Sequence, residues 1–140
     1  MSTEENKALA RRWAEEVWSE GNLDLIDELV LPDYVDHDPA LPEEVRGPEG
    51  VRRYIEEFRD AFPDMRLSVE DQVAEADKVV SRWTARGTHR GAFMGVAASG
   101  NRLEMEGMSI DRFSEGRFVE SWESYDALGM MRQIGAVPES

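Results

Sequence analysis

Three residues of this 140-residue chain have side chains suited to moving protons: Asp126, His37 and His89. Asp126 lies in SYDALGMMRQIG, where a strand pattern runs into a helix pattern, and its close neighbours are mostly apolar. Aspartate at a helix start commonly caps that helix. Asp126 also shares strand parity with Trp122, a residue expected on the covered face of the sheet, so its carboxylate could face a cavity. The two roles are compatible, and the sequence leaves both open.

The two histidines have different surroundings. His37 lies between two aspartates in YVDHDP, and these carboxylates could orient its ring. The alternative is an ordinary histidine in a surface loop. His89 stands at a predicted strand end just before Gly91 and shares parity with Trp83, so it could face inward near the mouth of a cavity. The alternative is a structural histidine with satisfied hydrogen bonds.

A carboxylate, two histidines and an apolar cavity are suited to proton transfer on a carbon acid. The chain has no cysteine and no H-x-x-x-H pair, so we expect no metal site. It has no Gly-rich phosphate loop and no dinucleotide fingerprint, so we expect no cofactor. Aromatic and methionine side chains provide material for the wall of a cavity for a flat ligand. The predicted lining residues are Trp13, Tyr34, Tyr54, Phe58, Trp83, Phe93, Met108, Arg112 and Trp122. For Arg112, solvation of a sheet edge is the alternative.

The hydrophobic periodicity predicts the elements that would hold these residues. A period near 3.6 indicates helices over 3–20, 22–30 and 48–62, and the segment between the last two is rich in proline. From residue 65 the period changes to two, which predicts about four long strands joined by short turns, and therefore antiparallel. The apolar residues change strand parity between Met105 and Met108, and Gly107 between them predicts a bulge. A short helix follows the last strand. The pattern predicts a single α+β domain over residues 1–140, with a curved antiparallel sheet wrapped by three N-terminal helices and one C-terminal helix.

Charge and hydropathy exclude several classes of partner. The formal net charge is −14, with 30 acidic and 16 basic residues, so nucleic acid and anionic membranes would be repelled. No run of 18 apolar residues is present, which argues against a membrane span. The N-terminal residues lack the apolar stretch of a secretory signal, so we expect a cytoplasmic protein.

Four segments resemble the SnoaL-like polyketide cyclases: YVDHDP, GPEGVRRYIEEFRDAFPDMR, GTHRGAFMG and VESWESYDALGMMRQIG. The resemblance spans about residues 5–136 and implies a cone-shaped α+β barrel of the nuclear-transport-factor-2-like superfamily. It also implies a cofactor-independent intramolecular aldol cyclisation of a small hydrophobic carbonyl compound. The matching position for the general acid/base is Asp126. His37 matches a polar residue against the substrate, and His89 falls in the family's GTHxGxFxG segment.

The chain departs from the family at one position. The cyclases carry a further histidine close to where this chain has Ile110 and Arg112, which leaves the partner of the substrate oxyanion open. A non-catalytic module for binding a small ligand or for dimerisation is therefore an alternative, as is an isomerase, dehydratase or epoxide hydrolase. The strand face with Arg82, Arg86 and Arg90 needs an acidic counterpart, and together with the resemblance it predicts a homodimer through the sheet.

Overall fold

Helices cover one curved sheet in a computed structural model that describes residues 2–137. Within this range, no helix combines the length and the apolar character needed to cross a bilayer. The helices are α1 (Thr3–Arg12), which continues as a π-helical segment (Trp13–Ser19), α2 (Leu25–Leu29), α3 (Gly47–Ala61) and α4 (Ala127–Gln133). The strands are β1 (Val30–His37), β2 (Val45–Arg46), β3 (Arg66–Glu75), β4 (Lys78–Thr88), β5 (Arg102–Ser114) and β6 (Arg117–Tyr125).

The sheet has the strand order β2-β1-β6-β5-β4-β3. Neighbouring strands are antiparallel except for β1 and β6, which run parallel. The α+β class is confirmed, but β1 occupies a proline-rich segment whose composition predicts a loop. Pro32 lies inside this strand, where the register against β6 shifts between Val30 and Val35. That irregularity tolerates a residue that has no N–H to donate.

The helices cover the concave face of the sheet with two groups of buried side chains. One group forms around Ile26, Ile55 and Phe118 and the other around Phe62 and Met130. On α3, the apolar residues recur at helical spacing, so a single stripe of this helix contributes to both groups. Members of both groups also form the walls of the cavity described below.

Gly107 does not mark a bulge, contrary to the expectation from the sequence. The pairing of β4 with β5 runs without a shift through Gly107, which lies opposite Trp83. A Cβ atom on Gly107 would lie 2.5 Å from Cζ2 of Trp83 and 2.8 Å from Cβ of Tyr125. Glycine is therefore needed at this inward position because two aromatic rings occupy the space of a side chain. The alternation of β5 continues unchanged, and Met108 faces outward.

We predict that Gly107→Ala destabilises the fold, because the added methyl group must displace Trp83 or Tyr125. Overpacking of this kind costs about 1–3 kcal/mol in unfolding free energy. Thermal and urea denaturation would measure the loss, with Glu106→Ala at the neighbouring exposed position as the matched control. Equal stability of the two variants would contradict the packing argument.

Candidate active site

A cavity lies between the helices and the concave face of the sheet. Its walls enclose about 860 Å³ of space, a volume that includes the solvent at its open mouth. Five of the predicted lining residues do form its wall: Trp13 from the π-helical segment, Tyr34 from β1, Tyr54 and Phe58 from α3, and Trp83 from β4. Trp18, Met65, Leu67, Met105 and Tyr125 extend this wall.

Three acidic side chains form the polar end of the cavity: Asp36 on β1, Asp111 on β5 and Glu123 on β6. Asp36 pairs in register with Ser121 of β6, and Ser121 pairs with Asp111. Neighbouring strands are about 4.8 Å apart, so this row places one strand between the two aspartates. Glu123 lies two residues beyond Ser121 on the same face of β6, diagonal to both. The three carboxyl groups therefore occupy one patch of the concave sheet face.

The two aspartates of this patch differ in their hydrogen bonds. The Ser121 hydroxyl donates to Oδ1 of Asp111 at 2.6 Å. Oδ1 of Asp36 is buried and has no hydrogen-bond partner within residues 2–137. The Asp36 residue as a whole is 5% exposed. A buried acceptor without a partner costs free energy, so an oxygen of this kind at a cavity wall is suited to a ligand or a proton.

Burial governs the charge of this patch. It raises the pKa of Asp36 to about 8, and the nearby Asp111 and Asp38 act in the same direction. Burial likewise raises the pKa of Glu123 well above its usual value, assisted by the three aspartates. It raises the pKa of Asp111 to about 6, against the opposing effect of the Ser121 hydrogen bond. The described residues that line the cavity include no Lys, Arg or His. The patch therefore holds protons at neutral pH that ordinary carboxylates would release.

Asp38, just beyond β1, orients two phenol groups of the cavity wall. Its Oδ2 accepts hydrogen bonds from the Tyr54 hydroxyl at 2.9 Å and from the Tyr125 hydroxyl at 2.8 Å. Its Oδ1 accepts from the backbone N–H of Ala40 at 2.9 Å. Burial is the main cause of the raised pKa values of both phenols. The carboxylate thus links α3 to the end of β6, and both hydroxyls remain protonated.

The structure does not place Asp126 in the cavity, and the prediction that it points inward is wrong. The residue is exposed, and its Oδ1 accepts a hydrogen bond from the Gly129 N–H at 2.8 Å as the cap of α4. Of the two roles that the sequence left open, the structure therefore shows the cap. A catalytic role for Asp126 would need contact with a substrate outside the cavity.

Neither histidine lines the cavity. The ring of His37 lies between Glu44 and Glu120, with Nδ1 2.5 Å and Nε2 2.8 Å from their carboxylates, and stacks on Trp122. His89 is fully buried, and its Nδ1 accepts from the Ser99 N–H at 3.1 Å. The cavity thus brings together carboxyl groups and phenols, without the two histidines expected there.

Four other predicted lining residues also lie outside the cavity wall. Phe93 is buried behind the wall, against Phe58 and Phe62. Met108, Arg112 and Trp122 lie on the outer face of the sheet, where Arg112 donates to Glu120 at 3.2 Å. The reason for Met108, Arg112 and Trp122 is strand parity, since the even-numbered residues of β5, and those of β6 from Glu120 onwards, point away from the helices.

Sequence reasoning missed the acidic patch because of a single extra residue on β6. Arg112 pairs with Glu120 while the next residue, Phe113, pairs with Phe118, so Val119 is unmatched. A bulge of this kind reverses the facing of the residues that follow it. Phe118 and Glu123 both face inward despite their opposite parity. A signal was present on β5, where Asp111 continues the inward parity of Leu103 and Met105. In β1, YVDHD alternates in the same way through Tyr34, Asp36 and Asp38.

Comparison with known proteins identifies the family of this chain. The family profile described as SnoaL-like polyketide cyclase matches residues 8–134. The chain belongs to this family. Among curated SnoaL-like relatives, the aklanonic acid methyl ester cyclase DauD of Streptomyces sp. (strain C5) is 28% identical over 133 residues, which cover 91% of this chain and 80% of DauD.

Solved structures agree with this SnoaL-like assignment. A SnoaL-like protein of Jannaschia sp. CCS1 superposes with a TM-score of 0.88 at 25% identity, over 97% of this chain and 95% of its own. TsrD of Streptomyces laurentii superposes with a TM-score of 0.85 at 31% identity, over 98% and 99% of the two chains. The cone-shaped α+β fold that the sequence resemblance implied is confirmed. Within residues 2–137, no group of three or more His, Cys, Asp or Glu side chains is arranged to hold a metal ion.

We predict that Asp36→Asn stabilises the protein more at pH 8 than at pH 5. A carboxyl group whose pKa is raised from 3.8 in the unfolded chain to about 8 in the fold binds more protons when folded. Its contribution to the free energy of unfolding therefore falls as pH rises between these values. Asparagine has no proton to lose, so the variant should gain about 1 kcal/mol or more over the parent across this interval. Urea denaturation at the two pH values measures the difference, and Asp33→Asn at an exposed position of β1 is the control. A gain that is independent of pH would contradict the raised pKa.

Proposed function

We propose that this SnoaL-like protein catalyses an intramolecular aldol cyclisation of a small hydrophobic carbonyl compound, with Glu123 as the proton acceptor. The observation that carries the proposal is the patch of three buried carboxyl groups, without a cationic neighbour among the described lining residues, at one end of an aromatic cavity. Such a cavity favours a neutral, flat substrate because a charged carboxylate would be repelled by the patch and desolvated by the wall.

The acid/base steps follow from the charges in the patch. In the molecules in which it is ionised, Glu123 takes a proton from the carbon next to a carbonyl group, and the electrons of the broken C–H bond form an enolate. The enolate carbon then attacks a second carbonyl carbon of the same molecule, and the oxygen of that carbonyl takes up a proton. Asp36, with its pKa raised to about 8, is protonated near neutral pH and donates to the developing oxyanion. The proton held by Glu123 then returns to Asp36, so the reaction is a net isomerisation.

Glu123 is the member of the patch best suited to contact a substrate. Asp36 and Asp111 are buried residues, whereas Glu123 is partly exposed and has the longer side chain. Its pKa is raised by burial and by its acidic neighbours, which makes it a stronger base than an ordinary carboxylate once it is ionised. The rings of Trp13 and Trp83 in the cavity wall would hold the substrate so that its two reacting carbons meet.

The relatives support this type of reaction. DauD is an aklanonic acid methyl ester cyclase. A neutral ester agrees with this cavity better than a free acid does, because the acid would bring a negative charge to a lining whose described residues include no cation. We therefore propose aklanonic acid methyl ester as the first substrate to assay, with the free acid as the comparison.

We predict that Glu123→Gln lowers the turnover number for cyclisation by roughly 100- to 10,000-fold, since this is the range a positioned general base contributes. Glutamine keeps the shape of the side chain but cannot accept the proton. Chromatography with mass detection would follow a product that has the mass of the substrate. The matched control is Asp126→Asn, whose carboxylate caps α4 outside the cavity and whose loss should leave turnover within a few-fold of the parent.

The opposite result, with Asp126→Asn inactive and Glu123→Gln active, would show that Asp126 and not Glu123 is the general base. Binding of the ester by the parent without any product would favour the alternative, a non-catalytic ligand-binding protein. Carboxyl groups with raised pKa values argue for catalysis, since a passive apolar receptor gains nothing from their burial.

We also propose that the protein forms a homodimer through the outer face of the sheet. An apolar row crosses four strands in register, from Val73 through Val80 and Ile110 to Trp122. Val73, Ile110 and Trp122 are 65%, 38% and 36% exposed. The ion pair of Arg112 with Glu120 borders the row. A second copy related by a two-fold axis would cover the same row and bring its own charges to the rim.

We predict that the parent chain sediments at twice its mass of 15.9 kDa at physiological salt. Ile110→Asp places a charge at the centre of the apolar row and should shift the protein to monomer. Leu128→Asp, at an exposed apolar position of α4 away from this face, is the control and should keep the dimer. A monomeric parent would overturn the proposed pairing, whatever the variants do.

A further inference from the structure

The acidic patch lies in a setting that has the chemistry of a cation-binding site. The wall includes the aromatic rings of Trp13, Trp83 and Tyr34, and the patch supplies carboxyl groups from three strands. Aromatic faces attract organic cations by their negative quadrupoles, and this attraction strengthens where water is excluded. A cation at the patch would also relieve the repulsion among its carboxylates.

A second, independent feature points to a ligand. Asp36, a residue that is 5% exposed, lines the cavity, and its buried Oδ1 has no hydrogen-bond partner in the described part of the chain. The fold thus leaves a buried acceptor oxygen of a lining residue without a partner. Asp111 differs from Asp36, because its Oδ1 already accepts a hydrogen bond from the Ser121 hydroxyl.

The expected cation is organic and larger than a metal ion. Within residues 2–137, the acidic groups do not converge on a single point as metal ligands must. They are spread over β1, β5 and β6, around one end of a cavity with apolar walls. A positively charged nitrogen with hydrocarbon substituents matches both parts, with its charge at the carboxyl groups and its apolar part among the rings.

We infer that the cavity binds a small aromatic amine or quaternary ammonium ion, with the cationic nitrogen beside Asp36 and Glu123 and the hydrocarbon part between Trp13 and Trp83. Neither the proposed cyclisation nor its neutral substrate requires this affinity, so it is a separate property of the same cavity. A bound ammonium ion holds the carboxyl groups in their ionised form and releases protons on binding. It therefore competes with the protonated state that the cyclisation uses.

The dependence of this binding on pH follows from the groups around Asp36. Binding should strengthen as pH rises from about 6 to about 8, the values to which the pKa of Asp111 and the pKa of Asp36 are raised. A quaternary ammonium ion does not titrate, so any change of its affinity with pH arises from groups of the protein. The titratable groups that face Asp36 are Tyr34 and Asp38 of the β1 segment, Tyr54 of α3, Asp111 of β5, and Glu123 and Tyr125 of β6.

The probe is benzyltrimethylammonium, and its control is neopentylbenzene, in which a carbon atom replaces the charged nitrogen. Quenching of tryptophan fluorescence and titration calorimetry report binding to the parent protein. At pH 8.5 the ammonium ion should bind at least about tenfold more tightly than the neutral isostere, given the strength of buried cation–aromatic contacts. Its affinity should fall on lowering the pH to 5.5, while that of the isostere stays constant. Calorimetry at pH 7 in two buffers of different ionisation enthalpy should show release of protons.

Variants separate a specific site from general hydrophobic uptake. Asp36→Asn should weaken ammonium binding about fivefold or more and leave binding of the neutral isostere unchanged, in line with the loss of one buried charge partner. Glu123→Gln should also weaken ammonium binding. Agreement between the two variants would show that the loss is not caused by a folding defect of one of them. Asp33→Asn, exposed on β1, is the matched control. Equal affinity for the two probes, full ammonium affinity in both patch variants, or binding of neither probe would each overturn the inference. None of these results depends on turnover, so an inactive protein can still pass the test.

Discussion

The burial of three carboxyl groups beside one another is the constraint on which the site depends. Asp36, Asp111 and Glu123 come from adjacent strands, point to the same concave face and have no cationic neighbour among the described cavity residues. Their desolvation and mutual repulsion are unfavourable for the fold, and protons relieve them at neutral pH. A protein of modest size keeps such an arrangement only where the rest of the structure holds it in place. Here that support comes from the strand register and from the helices that close the cavity above it.

The same constraint explains several features around the patch. Gly107 leaves room for Trp83 and Tyr125, so the aromatic wall can approach the carboxyl groups closely. Asp38 fixes the hydroxyls of Tyr54 and Tyr125, so the rim of the cavity is held from two sides. An environment of this kind keeps carboxyl groups ready to exchange protons with a neutral carbonyl compound, and it would hold a positively charged nitrogen by the same forces. Both proposed activities depend on carboxyl groups that can become negatively charged in a cavity with a low dielectric constant.

The outer face of the sheet has a different chemistry. The ring nitrogens of His37 contact Glu44 and Glu120 there, next to the exposed ring of Trp122. The residues that the sequence offered as catalytic or as lining are therefore divided between the two faces. His37, Met108 and Trp122 lie outside, whereas Tyr34, Tyr54 and Trp83 lie inside. Family resemblance could not separate these residues. A segment that matches the family forms a strand, and successive side chains of a strand point to opposite faces of the sheet.

The sequence by itself determined the α+β class, the helices α1 and α3, the four long strands and five residues of the cavity wall. These follow from periodicity, since buried positions of a helix recur near every 3.6 residues and those of a strand every two. Only the tertiary structure decided which carboxylates enter the cavity. β1 pairs in parallel with a strand some eighty residues away, and one unmatched residue, Val119, reverses the facing of β6. Neither the parallel pairing nor the bulge leaves a signal in the local sequence, because both depend on how the whole sheet packs. For that reason Asp126, which looked inward by parity, caps a helix in solvent, and Glu123 takes the inward position.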